Sequence, residues 1–331
     1  MNKQRKKVKI DWHQYGVLIV LIVLFAVMSL ASDAFLTPKN LMNLIRQVAV
    51  IGVIAIGTTF VCLTGGIDIS VGSVAALAGV VSAMCASPNG PLNWTDPTAA
   101  GTAWPFITCI IAAVLIGAIC GFINGFFIAK IHMPPMIVTL AMMSIARGIA
   151  LLITKGSPVH YLTNTYKAVA GSNMGIFPLL GVYYIVALAI AYLILNRSVF
   201  GRHIFAVGGN ETAAQNAGIN VVKTKIIVYT GAGIMAGLGG LLLASRLGSG
   251  APTAAEGYEM DAIAAAVVGG VSLEGGVGTV SGALIGVLIM GVLSNGFTML
   301  NVNSYIQDVV KGAIIIAAVA YDLSGKRKSG K

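Results

Sequence analysis

The residues best placed to do chemistry are two carboxylates in glycine-rich interruptions of apolar segments, Asp68 and Glu274. Asp68 lies in GGIDISVGSV, and Glu274 lies in the similar run GGVSLEGGVGTV. A carboxylate at the bilayer centre costs about 2.5–3.5 kcal/mol on insertion scales, so either acid there needs an aqueous or paired setting. Paired broken helices of this kind line the permeation path of transporters. The same spacing also fits two tight turns at one membrane surface.

No hydrolytic or metal site is indicated. The histidines lack metal-ligand spacing, being scattered at His13, His132, His160 and His203. The C-terminal GKRKSGK has the spacing of a phosphate-binding loop but no following Ser or Thr, and it neither follows a strand nor opens a helix. We therefore predict that the chain is not an enzyme, with no catalytic residue, metal or cofactor of its own.

The cysteines show no C-x-x-C spacing and fall in or beside apolar runs, at Cys62, Cys85, Cys109 and Cys120. They are interpreted as small core residues. Cys85 and Cys109 flank one predicted outer loop, so a disulfide between them stays open.

Composition places the chain in a membrane. Apolar residues make up 57% of it and charged residues 10%, against about 25% charged in an average soluble domain. Runs such as 105–129 and 226–245 carry no charge, and a membrane span needs roughly 20 such residues. We predict an all-α integral membrane protein, a single transmembrane domain over 1–331 with about ten transmembrane helices. The predicted spans are 15–31, 47–64, 71–86, 105–129, 133–153, 178–195, 226–244, 259–273, 277–297 and 305–322.

The net charge of +10 comes largely from basic clusters at the two ends of the chain. Basic residues near spans mark the cytosolic side, which predicts cytosolic tails at 1–14 and 323–331 and a cytosolic loop at 196–225. Because the charge is explained by orientation in the bilayer, no nucleic-acid partner is expected.

The central loop contains a short helix signal in the stretch 199–219. Asn210 is a good N-cap, Glu211 suits the first turn, and Gly218 suits the end. The predicted helix runs from Glu211 to Ala217. It is either one ordered turn in a connecting loop or a helix presented to a cytosolic partner.

Other polar residues sit where apolar ones would be expected. Asn124 and Asn295 each need a neighbouring helix or an aqueous path. Our candidates for the translocation path or gate are Asp68, Ser70, Asn124 and Asn295. Three further acids mark either a helix N-terminus or a surface on which a soluble protein docks: Glu256, Glu259 and Asp261.

Three motifs together carry a family resemblance: TGGIDISVGSVAAL (64–77), GRHIFAVGGNETAAQNAGI (201–219) and YEMDAIAAAVVGGVSLEGGVGTVSGALIG (258–286). They resemble the membrane permease of ribose/xylose/arabinose/galactose-type ABC importers. The resemblance implies a multi-pass homodimer in the bacterial cell membrane. It also implies a cytosolic tandem ATPase that binds ATP and Mg, and an extracytoplasmic sugar-binding protein. The residues it implies for contact with the ATPase are Arg197, Arg202, Gly208, Asn210, Glu211, Ala213, Ala214 and Gly218.

The expected function is therefore that of the permease subunit of an ATP-driven, binding-protein-dependent importer of a simple sugar. Ribose is the first substrate expected. The permease is expected to move it by alternating access. The alternative is a secondary transporter driven by an ion gradient. In that case Asp68, Arg147 and Glu274 would be the buried ionisable relay.

Overall fold

A computed structural model of the chain describes residues 12–88, 104–175 and 177–329, which form a helical bundle with one short hairpin. The helices are α1 (Trp12–Ala31), α2 (Pro38–Leu63), α3 (Val71–Ala86), α4 (Phe106–Lys130), α5 (Pro135–Thr154), α6 (Asn164–Gly171), α7 (Leu179–Arg197), α8 (Val199–Gly209), α9 (Glu211–Asn216), α10 (Val221–Leu247), α11 (Tyr258–Val268), α12 (Val280–Met299) and α13 (Ser304–Ser329). The hairpin pairs β1 (Asn173–Met174) with β2 (Phe177–Pro178) in antiparallel register.

Six of the described helices are long and apolar enough to cross a membrane: α2, α4, α5, α7, α10 and α12. Two shorter apolar helical stretches accompany them, Gly16–Ala31 and Val71–Ala86. An all-α membrane protein is thereby confirmed. Length and composition identify six spanning helices in the described part of the chain, where the sequence predicts about ten spans.

Helix α10 is the centre of the bundle and packs against α4, α3 and α2. Its contact with α4 depends on glycine: a β-carbon on Gly117 would overlap the Gly233 carbonyl oxygen, and one on Gly125 would lie 2.8 Å from the Ile226 Cα. Small residues let helices approach closely in lipid, where apolar surface gains little by pairing. Because Gly117 meets Gly233 and Gly125 meets Ile226, the two helices run antiparallel.

The two ends of α10 identify the two ends of the helical bundle. The start of α10 lies beside α9, where Lys225 pairs with Glu211, and its end lies beside α6, where Ser245 Oγ accepts from the Ala170 N–H. We call these the α9 end and the α6 end. With 27 residues, α10 separates them by about 40 Å.

A first inserted segment of non-helical backbone, residues 64–70, joins α2 to α3 inside the bundle. Gly66 lies against the hydroxyl of Tyr229, in the first half of α10, and Gly79 of α3 lies against Gly240 near the other end. Val71, where α3 begins, is eight residues before Gly79. It therefore lies about 12 Å farther than Gly79 from the α6 end. The predicted interruption at Asp68 is thus a real break within the bundle.

A second inserted segment, residues 248–257, joins α10 to α11. Gly250 packs against Ala83 near the end of α3, whereas the Ala255 carbonyl and the Glu259 carboxylate reach Gly72 near its start. The segment therefore runs back along α3 into the bundle, and α3 and α11 begin side by side at depth. Glu274, which the sequence pairs with Asp68, is instead exposed in the turn between α11 and α12.

Candidate functional site

Three of the four predicted path residues form one hydrogen-bonded chain, which we call the Asp68 group: Asp68, Ser70 and Asn124. Asp68 Oδ1 accepts from the Ser70 N–H at 2.9 Å and from Ser70 Oγ at 2.6 Å. Asn124 Nδ2, on α4, donates to Ser70 Oγ at 3.0 Å. Each of the three residues is at most 1% exposed. The first inserted segment is thus fastened to α4 through side chains at the N-terminus of α3.

The Asp68 group retains unused hydrogen-bonding capacity. Among the described residues, Asn124 Oδ1 is buried without a hydrogen-bond partner, and no Lys, Arg or His forms an ion pair with Asp68. The Tyr229 hydroxyl adjoins the same segment at Gly66. An unsatisfied buried polar group costs about 1–3 kcal/mol. The group therefore has the chemistry to bind a neutral hydroxylated solute, or water in its place, through hydrogen bonds.

The fourth predicted path residue, Asn295, lies apart from this group. Its side-chain amide pairs with that of Asn40 at the start of α2, whereas the first inserted segment begins where α2 ends. The 26 residues of α2 put these sites about 35 Å apart along the helix. Asn40 Nδ2 also donates to the Phe35 carbonyl at 2.9 Å. The structure gives Asn295 a helix partner, one of the two settings that its sequence context demands.

Arg147 of α5 holds the second inserted segment in place. Its Nη1 donates to the carbonyl oxygens of Pro252, at 2.6 Å, and Ala254, at 2.9 Å. Non-helical backbone inside a helical membrane protein needs such partners, because lipid offers none. The sequence signal was an arginine inside an apolar span, and it suggested only a possible proton or ion relay.

The three predicted docking acids differ in accessibility. Glu256 is exposed, whereas Glu259, in the first turn of α11, is partly buried and accepts from the Gly257 N–H at 3.3 Å. Asp261 is 5% exposed and pairs with Lys311 of α13 at 2.9 Å. Of these three acids, Glu256 alone has an exposed carboxylate in this conformation.

The predicted short helix is present as α9, Glu211–Asn216. Asn210 caps it, because its Oδ1 accepts from the Ala213 N–H at 2.8 Å, and Gly218 follows in the left-handed region with φ of +82°. Glycine adopts that conformation without a steric penalty, which ends the helix. The local prediction is confirmed to within one residue.

Helix α9 packs against the protein through one buried side chain, and its other side chains are exposed. Ala214 is 4% exposed and packs with Val207 and Val221 in a small apolar cluster of its own. Glu211 forms an ion pair with Lys225 on α10, with 2.6 Å between Oε2 and Nζ. Six of the eight residues predicted to contact the ATPase are exposed at this end: Arg197, Arg202, Asn210, Glu211, Ala213 and Gly218. Gly208 is the other exception, since it packs inward against Leu63 and Gly276.

The cysteines of the described residues are all buried and free: Cys62, Cys85, Cys109 and Cys120. No disulfide joins Cys85 to Cys109, which agrees with their interpretation as small core residues.

Comparison with known proteins places this architecture in a family. The family described as "Branched-chain amino acid transport system / permease component" matches residues 40–319. The ribose import permease protein of Bacillus subtilis (strain 168) is 42% identical over 97% of each chain. The ribose import permease of Escherichia coli (strain K12) is 42% identical over 92% of each chain. The L-arabinose transport system permease of the same strain is 39% identical over 94% of this chain and 90% of its own.

Among solved structures none matches this chain. The match to the permease family spans most of the chain, and the relatives are transport components rather than enzymes. The chain therefore belongs to this family of transport-system permeases, as an integral membrane component that moves a solute and not as an enzyme.

Proposed function

We propose that the chain is the permease subunit of an ATP-driven, binding-protein-dependent importer of a simple sugar in the bacterial cell membrane. The observation that carries this proposal is the similarity of nearly the whole chain to ribose import permeases. The family description names branched-chain amino acids. The relatives that align end to end are named for ribose and arabinose, so ribose is the first substrate to test.

The proposed topology has ten membrane passages, with both termini and α9 in the cytosol. The passages are α1, α2, α3 with the first inserted segment, α4, α5, α7, α10, α11 with the second inserted segment, α12 and α13. The antiparallel packing of α4 on α10 and the basic clusters at 1–14, 196–225 and 323–331 support this order. The α9 end then faces the cytosol and the α6 end faces outward.

The proposed assembly is a homodimer with a tandem ATPase and a sugar-binding protein. The ATPase binds ATP and Mg and receives α9, whose exposed surface and short capped helix suit insertion into a partner. The binding protein docks at the opposite end, with Glu256 as the most accessible of the predicted acids. Dimerisation is expected from the resemblance to sugar importers.

The proposed mechanism is alternating access without covalent chemistry in this chain. The Asp68 group offers carboxylate, hydroxyl and amide oxygens to sugar hydroxyls, and the inserted segments give it non-helical backbone to rearrange. ATP binding and hydrolysis in the partner reposition α9, and the bundle then opens inward. Because a sugar is neutral, these oxygens bind it by accepting hydrogen bonds from its hydroxyls and not by attraction between opposite charges.

Reconstitution tests this function. The chain and the ATPase encoded with it are placed in proteoliposomes, and the binding protein is added outside with radiolabelled ribose or leucine. Ribose uptake that requires both ATP and the binding protein is the expected result. Leucine uptake in place of ribose would overturn the sugar assignment. Uptake driven by a proton or sodium gradient without the ATPase would overturn the importer class in favour of a secondary transporter.

A further inference from the structure

Three glycine-bearing turns from distant parts of the chain meet at the α9 end. They are the exit of α2 (Leu63, Gly65), the end of α8 (Gly208) and the turn between α11 and α12 (Gly275, Gly276). The Gly276 N–H donates to the Leu63 carbonyl at 3.0 Å. We call these five residues the glycine junction.

The contacts in the glycine junction are backbone against backbone. A β-carbon on Gly208 would overlap the Leu63 carbonyl oxygen, and one on Gly275 would lie 2.7 Å from the Gly65 nitrogen and 2.8 Å from the Gly208 oxygen. Gly275 and Gly276 also have φ of +91° and +72°, a region that favours glycine. Closely packed backbone has no flexible side chains to absorb a displacement, so the three turns must move together or separate.

Each turn leads within a few residues to a part of the transport machinery. Asn210, which caps α9, follows Gly208 after one residue. Asp68 lies three residues beyond Gly65, and Thr279, which caps α12, lies three residues beyond Gly276. The junction thus joins the exposed helix α9 to the first inserted segment and to the α11–α12 turn at once.

We propose that Gly208 is a positioning residue that passes a displacement of α9 simultaneously to the first inserted segment and to the turn between α11 and α12. This inference rests on the proposed function, because α9 is displaced only if an ATPase binds it. It assigns to Gly208 a role inside the permease, whereas family resemblance alone would count it among the ATPase contacts. A displacement of α9 can also reach α10 directly, through the ion pair between Glu211 and Lys225. The route through the glycine junction is distinct from that one.

The neighbouring glycines of α8 supply a matched pair of variants. Gly208→Ala and Gly209→Ala add the same methyl group to the same last turn of α8, and both replace glycine with a better helix former. A β-carbon on Gly209 has nothing within 4 Å, whereas one on Gly208 forces the junction apart. Any difference between them therefore reports the packing of the junction.

The experiment measures three properties of each variant in the reconstituted complex: co-purification of the ATPase, ATP hydrolysis and ribose uptake. Gly209→Ala is expected to behave as the unmodified chain. Gly208→Ala is expected to keep the ATPase and hydrolyse ATP, with ribose uptake at least about tenfold lower and hydrolysis no longer stimulated by the binding protein. Uptake by Gly208→Ala equal to that of Gly209→Ala would overturn the inference. Failure of the unmodified chain to retain the ATPase would instead overturn the proposed function.

A measurement on the unmodified complex covers the case in which Gly208→Ala does not fold. Amide hydrogen exchange is compared between the nucleotide-free complex and the complex with a non-hydrolysable ATP analogue. Exchange at residues 63–66 and 274–276 is expected to change together with exchange in α9. A change confined to α8, α9 and α10, with both of those segments unaltered, would contradict transmission through the junction.

Discussion

The side-chain amides of Asn40 and Asn295 donate to each other, at 2.9 Å in both directions, and so join the start of α2 to α12. Both residues are buried, and Asn40 also donates to the Phe35 carbonyl. A reciprocal amide pair of this kind satisfies groups that apolar surroundings would otherwise leave unpaired. The pair explains how a polar residue is accommodated in α12 without water.

We expect Asn295→Ala to act on stability. The variant leaves Asn40 Oδ1 without its donor, so the free energy of unfolding in detergent should fall by about 1–3 kcal/mol. Ribose uptake per folded molecule should stay near normal. The double variant Asn40→Ala/Asn295→Ala leaves no side-chain amide unpaired but removes the donor to the Phe35 carbonyl, so it should recover only part of the loss. Unchanged stability with lost uptake would place Asn295 on the path instead.

Substitutions in the Asp68 group are expected to act on transport. Ser70→Ala removes the hydroxyl that links Asp68 to Asn124, and uptake should fall about tenfold or more, since each lost hydrogen bond to a charged group is worth about 1.5–3 kcal/mol. Asp68→Ala and Asn124→Ala should behave likewise, with assembly intact. Ser73→Ala, one turn further along α3, is the control. Normal uptake in all three variants would remove the group from the path.

Arg147→Leu should release the second inserted segment. Loss of the two bonds to Pro252 and Ala254 leaves carbonyls without donors, and we expect a loss of about 3 kcal/mol in the free energy of unfolding. Arg147→Lys keeps the charge but lacks the planar fork, so its loss should be smaller. Thermal unfolding in detergent and protease cleavage within 248–257 are the measurements. An Arg147→Leu protein as stable and as protected as the unmodified chain would disprove the anchoring role.

The ion pair between Lys311 and Asp261 should behave as a buried pair. Lys311→Met leaves a carboxylate that is only 5% exposed without its counter-charge, which should cost about 3–5 kcal/mol. Asp261→Asn combined with Lys311→Met removes both charges and should restore most of the stability. Equal instability of the single and double variants, measured by thermal unfolding, would argue against pairing as the cause.

Neighbouring alanines of α9 should separate partner binding from folding. Ala213 is exposed and Ala214 is packed against Val207 and Val221. Ala213→Trp is therefore expected to abolish co-purification of the ATPase without a change in thermal stability. Ala214→Trp should displace α9 and lower stability as well. Retention of the ATPase by the Ala213→Trp protein would show that this face of α9 is not the contact.

The sequence by itself determined the features whose causes are local. Charge-free runs of membrane-spanning length established the all-α membrane class, because lipid demands such runs. Asn210 and Gly218 predicted α9 to within one residue, because a cap and a terminator act over a single turn. The glycines and carboxylate of 64–70 predicted a break in the helix, which the structure contains. The motifs at 64–77, 201–219 and 258–286 also carry the resemblance to sugar importer permeases.

The tertiary structure alone decided which distant residues these features meet. No local pattern shows that Asn295 pairs with Asn40, that Arg147 holds residues 252–254, or that Gly208 faces Leu63. The tertiary structure also distinguished the two similar glycine-rich runs. The run with Asp68 is an inserted segment, and the run with Glu274 is an exposed turn. The physical reason is that a glycine in the sequence indicates only that some other backbone can approach closely there. A buried amide likewise indicates only that some hydrogen-bonding group must pair with it. The partner is supplied by the packing of helices far apart in the chain.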